Sequence, residues 1–240
     1  MAKILLSILI KKAINMDQTK LNIAIVGGTG KEGKGLAFRW GKAGHRVIIG
    51  SRNLEKAQLA VNEIKTFLPS NSELSGETNE SAVKQADIVV ITVPYQAHRD
   101  ILTLLKTELQ GKIVIDVTVP LVPPQVTKVQ MPADGSAAQE ALMILGQGCR
   151  VASAFQNISY DLLLNDAPVL CDVLVCGTDQ DTRQAVLELV KDAGLTGWDA
   201  GSLENSVVAE GLTSILINLN KKYHSHTAGI KITGIDSPRN

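Results

Sequence analysis

The run Leu21-Asn22-Ile23-Ala24-Ile25-Val26-Gly27-Gly28-Thr29-Gly30-Lys31-Glu32-Gly33 constrains this chain more than any other segment. A short aliphatic stretch that ends in glycines reads as a buried parallel strand. Residues 34–42 then put Leu36, Ala37 and Trp40 at helical spacing, with a stop near Gly44. Gly28-x-Gly30-x-x-Gly33 therefore lies between a strand and a helix, the context the dinucleotide fingerprint needs. Its glycines permit a tight turn, close approach of backbone to a pyrophosphate, and close helix–strand packing. The free N–H groups of the helix start then point at the phosphates.

The rest of the chain repeats the alternation. Strands are expected at 46–50, 88–93, 112–116, 150–155 and 173–176, with a short one at the end of the polar stretch 71–78. Helices are expected at 54–68, 81–86, 95–109, 137–145, 179–193 and 204–221. Strand and helix in turn predict an α/β fold, a Rossmann-type doubly wound parallel sheet. Residues 120–135 are Pro-rich and irregular.

The end of the second strand selects the dinucleotide. An enzyme using NAD places Asp or Glu there to bond the ribose 2′-hydroxyl. This chain reads Gly50-Ser51-Arg52, with Lys56 one helical turn on. Ser51 offers a hydroxyl, Arg52 a planar fork and Lys56 a point charge, a set suited to a 2′-phosphate. NADP(H) is the predicted cofactor.

Composition narrows the partners. Lys plus Arg is 24 and Asp plus Glu is 24, so no net field draws nucleic acid or an anionic membrane. Aromatics are only 3%, which makes the core aliphatic. Cys149, Cys171 and Cys176 lack zinc-pair spacing and read as buried reduced thiols, in keeping with a cytoplasmic protein. Residues 1–20 read as an extension ahead of the core: the apolar stretch 4–10 is too short to span a bilayer. It resembles a weak signal peptide, but Lys11-Lys12 follows it without a small-residue cleavage site. A start at Met16 is expected to retain the whole fold.

Several segments together resemble the F420-dependent NADP oxidoreductases. They are Gly27 to Gly35, Gly50-Ser51-Arg52 with Lys56, and Thr92-Val93-Pro94. Further along come Val151 to Asn157, Val175-Cys176-Gly177, Asp199 to Leu203, Leu212-Thr213, Leu216-Ile217-Asn218 and Gly229-Ile230-Lys231. The resemblance implies hydride transfer between NADPH and the deazaflavin coenzyme F420. It also implies a Rossmann domain at 21–155 and a smaller C-terminal lobe at 156–240 that completes the cleft for the second cofactor. By position, Thr29, Gly30, Lys31 and Glu32, flanked by Gly28 and Gly33, would hold the pyrophosphate. Ser51, Arg52 and Lys56 would hold the 2′-phosphate, and Val93 and Pro94 would line the path to the nicotinamide. Gln156, Asn157, Ile158 and Tyr160, with Ala228, would wall the ring site. Gln156 and Ser159 stand where some relatives carry His and Pro.

Hydride transfer needs two flat rings held face to face, so orientation matters more than acid–base chemistry. No obligatory catalytic side chain and no metal are expected. Tyr95, Tyr160 and Tyr223 are followed four places on by Arg99, Leu164 and Thr227, which argues against a short-chain dehydrogenase. His224 and His226 read as loop histidines rather than metal ligands. Two alternatives use the same dinucleotide half: a flavin or ferric reductase, and a non-catalytic NADP-binding redox sensor. The helix at 204–221 is apolar on most sides, which predicts burial on most sides and a homodimer.

Overall fold

The computed structural model describes residues 20–235, so the expectations for residues 1–19 and a start at Met16 lie outside the described residues. Eight strands form one sheet: β1 Asn22–Val26, β2 Arg46–Ser51, β3 Leu74–Thr78, β4 Ile88–Ile91, β5 Ile113–Asp116, β6 Arg150–Ser153, β7 Asp172–Gly177 and β8 Thr196–Ser202. The helices are α1 Lys31–Lys42, α2 Leu54–Lys65, α3 Asn79–Lys84, α4 Tyr95–Leu109, α5 Ala137–Leu145, α6 Tyr160–Leu163, α7 Gln180–Asp192 and α8 Ser206–Tyr223. The sheet order is β3-β2-β1-β4-β5-β6-β7-β8. Every neighbouring pair is parallel except β6 with β7.

Alternate residues of each central strand enter two aliphatic cores, because successive side chains point to opposite faces. Ile23, Ile25, Ile88, Val90, Ile113 and Ile115 pack under α1, α2 and α7. Ala24, Val26, Val89, Ile91 and Val114 pack under α3, α4 and α5. Both faces are covered, which is why these strands read as unbroken apolar runs.

Differences from the sequence reading are local. β4 ends at Ile91, two residues early, although Thr92 still donates its N–H to Val26 O at 3.0 Å. β8 was not anticipated, since Thr-Gly-Trp-Asp-Ala-Gly-Ser is polar and glycine-rich; it is an edge strand, only partly buried, paired to β7. α8 is covered on one side within this chain. Its buried stripe is Ser206, Ala209, Glu210, Gly211, Ser214 and Leu216, small or polar residues for the most part. Val208 and Ile215 stay 66% and 47% exposed, so within this chain the helix is not buried on most sides.

Helix α1 ties the two halves of the sheet together. Trp40 donates its indole N–H to Leu189 O at 2.9 Å and meets Phe155 edge-on at 5.7 Å. Arg39 is buried and donates from Nε to Leu163 O at 3.0 Å and from Nη2 to Leu162 O at 2.8 Å, closing the last carbonyls of α6. All three cysteines are buried and free, and burial pushes the Cys176 thiol up to about 11.

Candidate functional site

The glycine loop is built as its sequence requires. A Cβ on Gly33 would sit 2.6 Å from Gly28 Cα, so helix and loop touch there with no room for a side chain. Gly30 differs: a Cβ there would meet only Gly27 O, at 4.0 Å, so its face opens on the cleft. Gly30 is also the N-cap of α1, and no side chain caps the helix. The first-turn N–H groups of α1 thus end at an open cavity, the arrangement that receives a phosphate.

That cavity, about 800 Å³, brings together Thr29, Gly30, Ser51, Arg52, Lys56, Val93 and Pro94. Ser51 is buried and its hydroxyl accepts the Asn53 N–H at 3.2 Å, which fixes the turn presenting Arg52. Asn53 caps α2 through Lys56 N at 3.0 Å and so sets Lys56 on the same side. Sequence reasoning missed Asn79, Glu80, Asp100 and Leu104 in this cavity. Only Asn79 had a signal, as the residue after the third strand; its Oδ1 accepts Gly27 N at 3.3 Å and braces the loop.

Thr92, Val93 and Pro94 also line a second cavity of about 350 Å³ with Glu32, Val117, Val119 and Leu121. Those last four residues continue into a third cavity of about 410 Å³. Its remaining walls include Gln156, Asn157, Ile158, Tyr160 and Ala228, all anticipated, and Thr213, Ile217 and Asn220, which were not. Gly28 and Gly33 lie behind the cleft, packed on each other. Lys31 reaches across to Tyr160, with Nζ 3.1 Å from the phenol oxygen and 4.3 Å from the ring centroid.

The segment after β6 is swung over the sheet by Phe155, whose φ of 74° is left-handed and strained for a bulky residue. Gln156 Nε2 donates to Asp116 O and Ser153 Oγ, both at 2.8 Å. Asn157 Nδ2 donates to Ala209 O at 2.8 Å and to Thr213 Oγ1 at 3.2 Å. Both amide nitrogens are thus engaged by the protein, and what these residues present to the cavity is already oriented.

Two carboxyl groups are pushed well above their ordinary range. Burial pushes Glu32 up to about 8, and its Oε1 is shut off from solvent with no hydrogen-bond partner among the described residues. Burial, with the nearby Asp116 carboxyl, likewise pushes Glu210 up to about 8, against the pull of the Ala137 and Ala138 amides. Beneath the cleft His98 Nε2 meets Asp116 Oδ2 at 2.6 Å. Burial alone would lower this histidine, but the charge and hydrogen bond of Asp116 outweigh it and raise it. No group of three or more metal-ligating side chains occurs among the described residues.

A doubly wound sheet with an uncapped glycine loop at a cavity that leads, through Thr92 to Pro94, into two further cavities has the architecture of the pyridine-nucleotide oxidoreductases. Within that class, residues 22–120 match the family described as NADP oxidoreductase, coenzyme F420-dependent. The F420-dependent NADP reductase of Methanocaldococcus jannaschii is 39% identical over 90% of this chain and 100% of its own length. The Methanothermobacter marburgensis enzyme of the same name is 41% identical over 90% of this chain and 99% of its own. The chain belongs to the F420-dependent NADP reductase family. A solved structure from Arthrobacter sp. FB24, 24% identical, overlays with a TM-score of 0.74 across 89% of this chain and 99% of that one, which bears on the fold alone.

Proposed function

We propose that this protein transfers a hydride directly between NADPH and coenzyme F420. The observation that carries the reading is the joined cleft: the dinucleotide cavity shares Thr92, Val93 and Pro94 with the second cavity, which in turn shares Glu32, Val117, Val119 and Leu121 with the ring-sized cavity. In this reading Thr29 to Glu32 hold the pyrophosphate, Ser51, Arg52 and Lys56 hold the 2′-phosphate, and Val93 and Pro94 guide the chain toward the nicotinamide. Gln156, Asn157, Ile158, Tyr160 and Ala228 wall the deazaflavin. The two cofactors supply the hydride donor and acceptor carbons; the protein supplies alignment and a water-poor wall. Residues 21–155 serve the dinucleotide, and residues 156–240 complete the second half of the cleft.

Stereospecifically deuterated NADPH is expected to deliver label to the reduced deazaflavin from one face of C4 only. Gln156→Ala is expected to weaken deazaflavin binding or turnover while leaving NADP+ binding by calorimetry nearly unchanged. If the enzyme oxidises NADPH with ordinary flavin but not with F420 at any pH tried, the flavin or ferric reductase is the better reading. NADPH binding without turnover of any acceptor favours the sensor.

The same reading makes the protein a cytoplasmic homodimer with no nucleic-acid or membrane partner. Among the described residues no helix is long and apolar enough to cross a membrane. Val207, Val208, Ile215 and Leu219, 36%, 66%, 47% and 37% exposed, put an apolar stripe on the outside of α8 that a second copy would cover. Light scattering is expected to give twice the chain mass at micromolar concentration; a monomer mass ends the dimer reading.

A further inference from the structure

The ring-sized cavity does not end at its own walls. Ile217, Asn220 and His226 are shared with a neighbouring recess of about 320 Å³, whose other lining residues are Lys221, His224 and Ser225. Residues 221–226 read Lys-Lys-Tyr-His-Ser-His, a local basic cluster in a chain whose formal charge is zero. Part of this has an ordinary cause, since cations suit the carbonyl end of a helix. That accounts for Lys222, whose ammonium lies over the Tyr223 ring at 5.5 Å. It does not account for His226, which stands beyond the helix and lines both cavities.

The placement is built. His224 takes a left-handed φ of 52° and ends α8. Ser225 N donates to Asn220 O at 3.0 Å, and Ala228 N to Asn220 Oδ1 at 3.0 Å, which folds the segment back on the helix. Ser159 Oγ donates to His226 O at 2.8 Å and pins it to the ring-site segment. Lys221 makes no ion pair among the described residues. Among the described residues the two histidines have no third ligand to make a metal site. What remains is one ammonium and two imidazoles at the mouth of a mostly apolar cavity.

We propose that Lys221, His224 and His226 form the site for the anionic side chain of the deazaflavin, its phosphodiester and the carboxylates beyond it. This rests on the F420 reading. The ring lodges in the apolar cavity, and the negatively charged tail leaves through the recess, where charge-assisted hydrogen bonds hold it. The Arg52 and Lys56 corner lies in a different cavity, so this corner is the one that distinguishes F420 from a ring that lacks the tail.

The test measures binding by quenching of deazaflavin fluorescence, with F420 and with its ring-and-ribityl analogue that has no phosphate. Wild-type protein is expected to bind F420 at least 10-fold more tightly than the analogue, with the gap closing as salt rises, since exposed charges are screened. Lys221→Ala with His224→Ala is expected to raise the F420 Kd by roughly 10-fold. The analogue Kd and the NADPH Kd should stay in place, and Lys221→Arg should keep most of the affinity. Inorganic phosphate at millimolar levels should compete with F420 but not with the analogue. Equal wild-type affinity for the two ligands overturns the proposal, as does a double variant that weakens both alike while still binding NADPH. Failure of wild type to bind either deazaflavin removes the F420 reading itself, a result distinct from both.

Discussion

Helices α1 and α5 both begin beside a glutamate whose carboxyl is pushed up to about 8, and they solve the same problem in opposite ways. At α5, Ser136 caps Gln139 N at 3.0 Å, and Glu210 reaches over from α8 to accept Ala137 N at 2.7 Å and Ala138 N at 3.1 Å. The helix end is closed by the protein's own oxygens. At α1 the cap is Gly30, and among the described residues no side chain fills it and Glu32 Oε1 is left without a partner. A helix start with several N–H groups is satisfied by caps, water or a ligand. One end is closed by the protein; the other is left open beside Ser51 and Arg52, where the proposed function puts a phosphate.

The contrast breaks most readily at the closed end. Glu210→Ala leaves two buried N–H groups unpaired, an expected loss of about 2–4 kcal/mol in chemical denaturation. NADPH affinity measured on the folded fraction should hold. An unchanged denaturation midpoint would mean that α5 does not depend on this contact.

Next in size is the phosphate corner of the open end. Removing the guanidinium with Arg52→Ala should raise the NADPH KM roughly 10- to 100-fold, the worth of a charge-assisted contact, with the NADH KM nearly still. Wild-type protein with equal KM values for the two dinucleotides would sink the 2′-phosphate assignment.

The smallest effect is the pH dependence at Glu32. Below about pH 8 the raised carboxyl is protonated and neutral; above it a negative charge appears at the helix end where the pyrophosphate is proposed to sit. NADPH affinity is therefore expected to be highest below pH 8 and to fall by roughly fivefold, about 1 kcal/mol, on going from pH 7 to 9. The ligand's own phosphates are already ionised over that range. Glu32→Gln should flatten the profile; an identical slope in the variant would assign the titration elsewhere.

Much of this was legible in residue order. Ile23 to Val26, Gly28-x-Gly30-x-x-Gly33 and Ser51-Arg52 lie within one strand–helix–strand unit, where spacing alone fixes neighbours. So the fingerprint, the choice of NADP(H) and the alternating elements could be read directly. β8 escaped because an edge strand need not be apolar: Gly197, Asp199 and Gly201 tolerate solvent on a sheet margin. The role of Glu210 escaped because its partners, Ala137 and Ala138, lie more than seventy residues away.

The sequence by itself determined the strand–loop–helix that opens the fold, the aliphatic two-faced sheet and the basic end of β2, because each depends on residues a few positions apart. Tertiary structure decided the rest. It set which helix ends are open, joined the three cavities in series through Thr92 to Pro94 and then Glu32, Val117 and Val119, and turned Val207, Val208, Ile215 and Leu219 of α8 outward. These are matters of which distant surfaces meet, and periodicity along a chain carries no record of that.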